Sequence, residues 1–330
     1  MPEPHTELKD IFSDHTDDLK QVEEELLLLF ESKAFLIPQI GRHIVSSGGK
    51  RVRPLFLLLS AALSGFTGRE RITLGAIIEA IHTASLLHDD VVDGASIRRG
   101  KKTAHTLWGN QVVILVGDFL YSRALKTAVG FKNQAIMEAL SAATTMMTEG
   151  EIFQLGKIGD PHITMEEYYR IISAKTGALI SAACRIGGIL GGLKDDHIEA
   201  LSGFGMKTGM VFQMADDVLD YMADQDTFGK QLGKDLSEGK ITVPLIKLLQ
   251  VCTDAEREEV KRIITGRGVE NGKSLSILDD LFGKYSILEK SLAHARGLLD
   301  EAVSELSVFP DSPERDALIG LAEYSLQRKN

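Results

Sequence analysis

Leu87-His88-Asp89-Asp90-Val91-Val92-Asp93 and, about 127 positions later, Met214-Ala215-Asp216-Asp217-Val218-Leu219-Asp220 carry one pattern. Carboxylates stand at i, i+1 and i+4 within otherwise apolar runs. Positions i and i+4 share one face of an α-helix, so the spacing pairs Asp89 with Asp93 and Asp216 with Asp220. Each triplet falls near the C-terminal end of its expected helix, ahead of Gly94 in one case and of the Asp226–Gly229 turn in the other. There the helix macrodipole already disfavours negative charge. A solvated helix face explains isolated aspartates, but two clusters flanked by Leu, Val and Met are hard to solvate. A chain that accepts this cost twice draws its positive charge from outside. Hard divalent cations fit best: Mg²⁺ keeps several waters and is commonly completed by substrate phosphates, so the implied ligand is a di- or triphosphate.

Outward from these motifs the pattern stays helical. None of the eight prolines falls between Pro54 and Pro161 or between Pro161 and Pro244, so two long stretches lack the strongest helix breaker. Leu74, Ile77, Ile78 and Ile81 show the i, i+3, i+4, i+7 recurrence of a buried helix face. No period-2 strand stands out. Breaks are expected at residues 46–49, 64–68, 94–102, 156–161, 187–194, 224–239, 266–273 and 309–313. None has linker composition, so residues 1–330 read as one all-α domain, a large helical bundle of ten or more helices.

The bulk numbers exclude several classes. A net charge of −10 over 330 residues, with a pI near 5.4, leaves no basic stripe for nucleic acid. The apolar fraction of 44% and a mean hydropathy near zero describe a chain with a sizeable core. Cys184 and Cys252 lack metal-ligand spacing and read as reduced core thiols of a cytoplasmic protein. The start of the chain does not read as a signal peptide. The longest apolar runs are far short of a span, so stable membrane insertion is not expected.

Basic residues supply the complement to the acidic pairs. Gly48-Gly49-Lys50-Arg51-Val52-Arg53-Pro54 is a glycine turn, a basic cluster and a proline at the expected start of a helix. Exposed N–H groups, a helix N-terminus and guanidinium forks together form an anion site. Arg98-Arg99-Gly100-Lys101-Lys102 follows the first acidic motif directly. Lys230 and Lys240 lie beyond the second, and Lys175-Thr176 interrupts an apolar helix. His82, two turns before Asp89, shares its face.

In this order the motifs resemble those of the trans-isoprenyl diphosphate synthases, or polyprenyl synthetases. The matching residues are Gly48–Pro54, His82, Leu87–Asp93 with Arg98-Arg99-Gly100, Lys175-Thr176, Phe212-Gln213 leading into Asp216–Asp220, Gly229-Lys230, and Asp235 through Pro244. The resemblance spans residues 40 to 250. It implies an all-α fold around a central cavity, the isoprenoid synthase fold, and a homodimer. It also implies that Asp89 and Asp93, assisted by Asp90, hold Mg²⁺ on an allylic diphosphate, while Asp216, with Asp217 and Asp220, holds Mg²⁺ from the opposite wall, three ions in all. By the same resemblance Arg98, Lys175, Gln213 and Lys230 touch the allylic diphosphate, and Thr176 and Lys240 are further substrate-binding residues. Lys50, Arg53, His82 and Arg99 grip isopentenyl diphosphate.

Product length follows from helix geometry. Ile77, Ile81, Ala84 and Ser85 lie on one flank of the Asp89 face, and the two nearest the metals, Ala84 and Ser85, are small. In the family these motifs resemble, bulky residues there stop growth at about three or four isoprene units; a helical turn rises about 5.4 Å, close to one extended unit, so small residues there imply a long product of about six to ten units. Met146 and Met147 are candidate floor residues. A terpene cyclase would share the first motif but has no use for Gly48–Pro54, and a non-catalytic subunit would be expected to lose aspartates that this chain keeps.

Overall fold

The structure, a computed structural model, describes residues 8–98, 100–222, 234–266 and 271–327. The fold is all-α, as expected. Its first part runs through α1 (Leu8–Asp14), α2 (Thr16–Leu29), α3 (Leu36–Val45), α4 (Val52–Leu63) and α5 (Glu70–Val92). A two-residue hairpin follows, β1 (Ile97–Arg98) with β2 (Lys101–Lys102), and then α6 (Ala104–Trp108), α7 (Asn110–Val129), α8 (Gln134–Leu155) and α9 (Met165–Ile172). A π turn over Ser173–Gly177 leads into α10 (Ala178–Leu190) and α11 (Asp195–Met222). Further helices follow to Gln327.

By internal contacts the chain forms two compact units. The first comprises Met1–Thr144, Leu179–Gly205 and Leu306–Leu321. Its centre is α4, on which every residue from Pro54 to Ala61 is buried, as a helix enclosed on all sides requires. α5 packs along α2, α4 and α7. Ile72, Leu74, Ile77, Ile78 and Ile81 are each no more than 2% exposed, so the predicted stripe faces the core.

The second unit comprises Thr145–Ala178, Met206–Glu305 and Ala322–Asn330. Its core joins Tyr168, Ile171 and Ile172 of α9 to Met214 and Val218 of α11, with Val243, Leu245 and Ile246 against them. α9 opens with a capping box in which Thr164 accepts the Glu167 N–H and Glu167 accepts the Thr164 N–H.

Two local expectations are corrected. The break expected from Gly187 starts later, because α10 continues through Gly187 and Gly188 to Leu190. A side chain at Gly187 would sit 2.5 Å from Ser60 Cβ, so glycine serves close packing of α10 on α4 there. The hairpin at 97–102 also escapes the sequence reading, since two residues per strand cannot display a period of two. Among the described residues, no helix is long and apolar enough to cross a membrane.

Candidate functional site

In the first unit, α5 ends at Val92, and Gly94 (φ 63°) turns the chain back. The Ala95 N–H reaches the Asp90 carbonyl at 3.1 Å, the long bond of a Schellman turn. This reversal sends the β1–β2 hairpin back past the helix end. From β1, Arg98 Nε donates to Asp90 Oδ1 at 2.8 Å. Asp90 is 5% exposed, whereas Asp89 is half-buried and Asp93 exposed. Lys101 Nζ donates to the Ser46 carbonyl, and His43 Nε2 to the Lys102 carbonyl, which fasten the hairpin to α3. Arg99 lies outside the described residues.

The basic segment meets the same helix further up. α4 begins at Val52, so Pro54 is its third residue rather than its first, a position whose N–H has no intrahelical partner in any case. Arg53 Nη1 donates to His82 Nε2 at 3.0 Å. A guanidinium cannot accept, so this His82 nitrogen is the unprotonated one. Lys50 is exposed. Arg51 is buried between Glu23 and Glu79, at 2.8 Å from each. Burial opposes its charge, but the two glutamates outweigh that and raise its pKa.

In the second unit the motif ends α11, and again the middle carboxylate is the buried one. Asp217 is 3% exposed, Asp216 is exposed and Asp220 is half-buried. Tyr168 Oη donates to Asp217 Oδ2 at 2.7 Å and Gln213 Nε2 to Oδ1 at 2.8 Å. Thr176 Oγ1 in turn donates to Gln213 Oε1 at 2.8 Å. Glycine makes this reach possible. A Cβ at Gly209 would lie 2.6 Å from Gly177 Cα, so the π turn and α11 touch backbone to backbone one turn before Gln213. Such π turns cluster at functional sites.

Asp235, given no role by the sequence reading, completes this cluster. Its backbone N–H donates to Asp220 Oδ2 at 3.0 Å. Burial, then Asp235, push Asp217 well above the ordinary carboxylate range, to about 8. Burial, then Asp220, push Asp235 up likewise. Burial also raises Asp220. Lys240 partly offsets this at Asp235 while ion-paired with Glu238 at 2.6 Å. Lys175 pairs with Glu151 at 2.7 Å and donates to Gln154 Oε1. Lys175, Gln213, Asp217, Asp235 and Lys240 line one open cleft of about 550 Å³. Lys230 lies outside the described residues.

The donor set suits a hard cation. Carboxylate oxygens crowd together with their protonation favoured by burial and mutual repulsion, which a divalent ion would reverse. Among the described residues, no three His, Cys, Asp or Glu side chains form a ready-made metal cage. Mg²⁺ sites completed by water and phosphate do not require one.

The flank assigned to chain length is mixed. Ile77, Ile81 and Ala84 are at most 2% exposed, and Ser85, half-buried, donates its hydroxyl to the His82 carbonyl. The cleft beside Asp90 is lined by Thr83, Leu86 and Leu87 rather than by these residues. Met146 and Met147 are half-buried on α8.

An all-α architecture with an aspartate cluster ending a long helix in each unit defines a class, and solved structures identify it. The fold matches a decaprenyl diphosphate synthase from Rhodobacter capsulatus with a TM-score of 0.92 and 37% identity, covering 97% of this chain and 98% of that one. A polyprenyl synthase from Caulobacter crescentus, crystallised with calcium and isoprenyl diphosphate, matches over the full length of both chains at 34% identity and a TM-score of 0.90. The octaprenyl diphosphate synthase of Escherichia coli is 40% identical over 314 residues, 94% of this chain and 96% of that protein. Residues 35–281 match the polyprenyl synthetase family as a whole. The chain belongs to the polyprenyl synthetase family.

Proposed function

We propose that this trans-prenyltransferase is Mg²⁺-dependent and joins an allylic diphosphate, farnesyl diphosphate, to successive isopentenyl diphosphates. Its product is a long all-trans polyprenyl diphosphate of about 30–50 carbons, octaprenyl by likeness to the octaprenyl diphosphate synthase of Escherichia coli, for quinone side chains. The chain acts as one domain in a cytoplasmic homodimer.

The observation that best supports this reading is the juxtaposition on α5. His82, bonded to Arg53, precedes Asp89 by seven residues, about 10 Å along one helix face. An anchor for one diphosphate and a ligand for the metal of the other therefore sit about two turns apart, a separation suited to bringing two substrates together.

Asp89 and Asp93, with Asp90 behind them, would hold Mg²⁺ in the first unit; Asp216, Asp217 and Asp220 would do so in the second. Bound there, three Mg²⁺ ions would stabilise the charge that develops on a departing diphosphate. Arg98, Lys175, Gln213 and Lys230 add donors to the same oxygens, and their contribution grows as the allylic C–O bond ionises. Thr176 holds Gln213 in place and, with the carbonyls of its π turn, offers partial negative charge to the carbocation. Lys50, Arg53, His82 and Arg99 orient isopentenyl diphosphate so that its double bond attacks that cation. The proton then lost goes to the released diphosphate, so no side-chain base is required. Lys240, whose charge favours the ionised form of Asp235, is a further substrate-binding cation.

The test is the pure chain, without a partner, incubated with farnesyl diphosphate, labelled isopentenyl diphosphate and Mg²⁺. Dephosphorylated products are sized by chromatography. A ladder ending near about 40 carbons supports the reading. Products stopping at about 15–20 carbons would keep the chemistry and overturn the length assignment. No elongation would point to a subunit that works only with a partner.

A further inference from the structure

The segment Lys50-Arg51-Val52-Arg53 places three cations in four positions, and the proposed function uses only the outer two. The middle one behaves differently. Arg51 adopts a left-handed backbone (φ 50°, ψ 40°) directly before α4. That conformation is uncommon for a residue with a bulky side chain, so its environment must hold it there. The side chain shows what holds it. It is 8% exposed, with Nε donating to Glu23 Oε1 of α2 and Nη1 to Glu79 Oε1 of α5, both at 2.8 Å. Glu79 is itself 5% exposed, so a buried charge meets a buried charge. The Arg51 carbonyl also accepts the Leu55 N–H, which opens the first turn of α4.

A register emerges from these contacts. Glu79 and His82 are three residues apart on α5 and share a face. Arg51 and Arg53 reach that face side by side, Arg51 to Glu79 and Arg53 to His82. Lys50 leaves the same turn toward solvent. A shift of the turn would therefore move Lys50 and Arg53 together relative to α5.

We propose that Arg51 is a positioning residue: its ion pair with Glu79 holds the left-handed turn that aims Lys50 and Arg53 at the diphosphate of isopentenyl diphosphate. The inference rests on the function proposed above and refines it.

Three variants of the full chain test it: Arg51→Gly, Arg51→Lys and Glu79→Gln. Glycine relieves the left-handed backbone while deleting the guanidinium, which separates the ion pair from the turn. Binding of isopentenyl diphosphate to metal-free protein is measured by calorimetry, alongside KM for both substrates and kcat. Arg51→Gly should raise Kd and KM for isopentenyl diphosphate about tenfold or more, with KM for the allylic primer within about twofold and a smaller change in kcat. Arg51→Lys, keeping one charge but not the fork, should fall between. A merely structural role would lower the active fraction, and so kcat, while leaving KM for isopentenyl diphosphate unchanged. Should Arg51→Gly fail to fold, Glu79→Gln, which keeps shape and removes charge, decides by the same split. A folded Arg51→Gly variant that binds isopentenyl diphosphate like the parent overturns the inference and leaves the proposed function intact. A parent chain that neither binds isopentenyl diphosphate nor elongates overturns both.

Discussion

The two acidic motifs use the same five-residue spacing and bury the same member, yet they treat that member differently. In the first, Asp90 meets the Arg98 guanidinium, brought back by the hairpin that follows the helix. In the second, among the described residues, Asp217 accepts from the hydroxyl of Tyr168 and the amide of Gln213, with a further carboxylate, Asp235, close by. The outer members are the more exposed ones in both motifs. Among the described residues, one buried carboxylate thus meets a guanidinium, while the other meets neutral donors with a further carboxylate close by. Identical spacing sets which carboxylate turns inward; what meets it comes from elsewhere, the hairpin after α5 for Asp90 and α9 with the preceding turn of α11 for Asp217.

The largest effect should strike both motifs alike. Chelation with EDTA should abolish elongation, and added Mg²⁺ should restore it; activity persisting in EDTA would remove the shared premise. Next, replacing each buried aspartate should separate them. Asp90→Asn leaves Arg98 without its charge partner. Because that arginine side chain is 41% exposed, the loss should be about 1–2 kcal/mol, below the cost of breaking a fully buried pair.

Asp217→Asn should act in the opposite direction in metal-free protein. The folded state holds the Asp217 proton more tightly than the unfolded chain, so this group's contribution is full below the ordinary carboxylate range. It fades as pH climbs to about 8. The variant should therefore match the parent in Tm near pH 4 and exceed it by several degrees near pH 8. A difference independent of pH would contradict the assignment. The Tyr168 hydroxyl can turn to accept from the new amide, so the network survives the change.

The proposed chain-length flank lies on the first motif's helix, so Ala84→Phe or Ser85→Phe should shorten the product by about one or two isoprene units. Unchanged product length in both variants would remove the flank from the account. Tyr168→Phe, which loses one donor to a buried carboxyl, should cost about 1–3 kcal/mol in thermal unfolding, with product length unchanged.

Much of this was legible because helical periodicity and the i, i+4 rule act over short distances. The helix ends at Val92 and Leu155, the buried stripe Leu74–Ile81 and both acidic helices follow from local pattern. What escaped depends on contacts distant in sequence. Arg51 looks like its basic neighbours until Glu23 and Glu79, each 28 positions away, enclose it. Tyr168 is an ordinary aromatic on an amphipathic helix until α11 brings Asp217 to its hydroxyl. Asp235 resembles a loop acid until its backbone meets Asp220. The glycines that let the π turn approach α11 carry no local sign of that role either.

The most direct measurement of the central claim, that both clusters carry the reaction, is steady-state elongation by Asp89→Ala and Asp216→Ala beside the parent chain. Both variants should lose about a thousandfold or more in kcat/KM while remaining folded by circular dichroism. Either variant retaining activity within about tenfold of the parent would show that one cluster suffices, and would contradict the account.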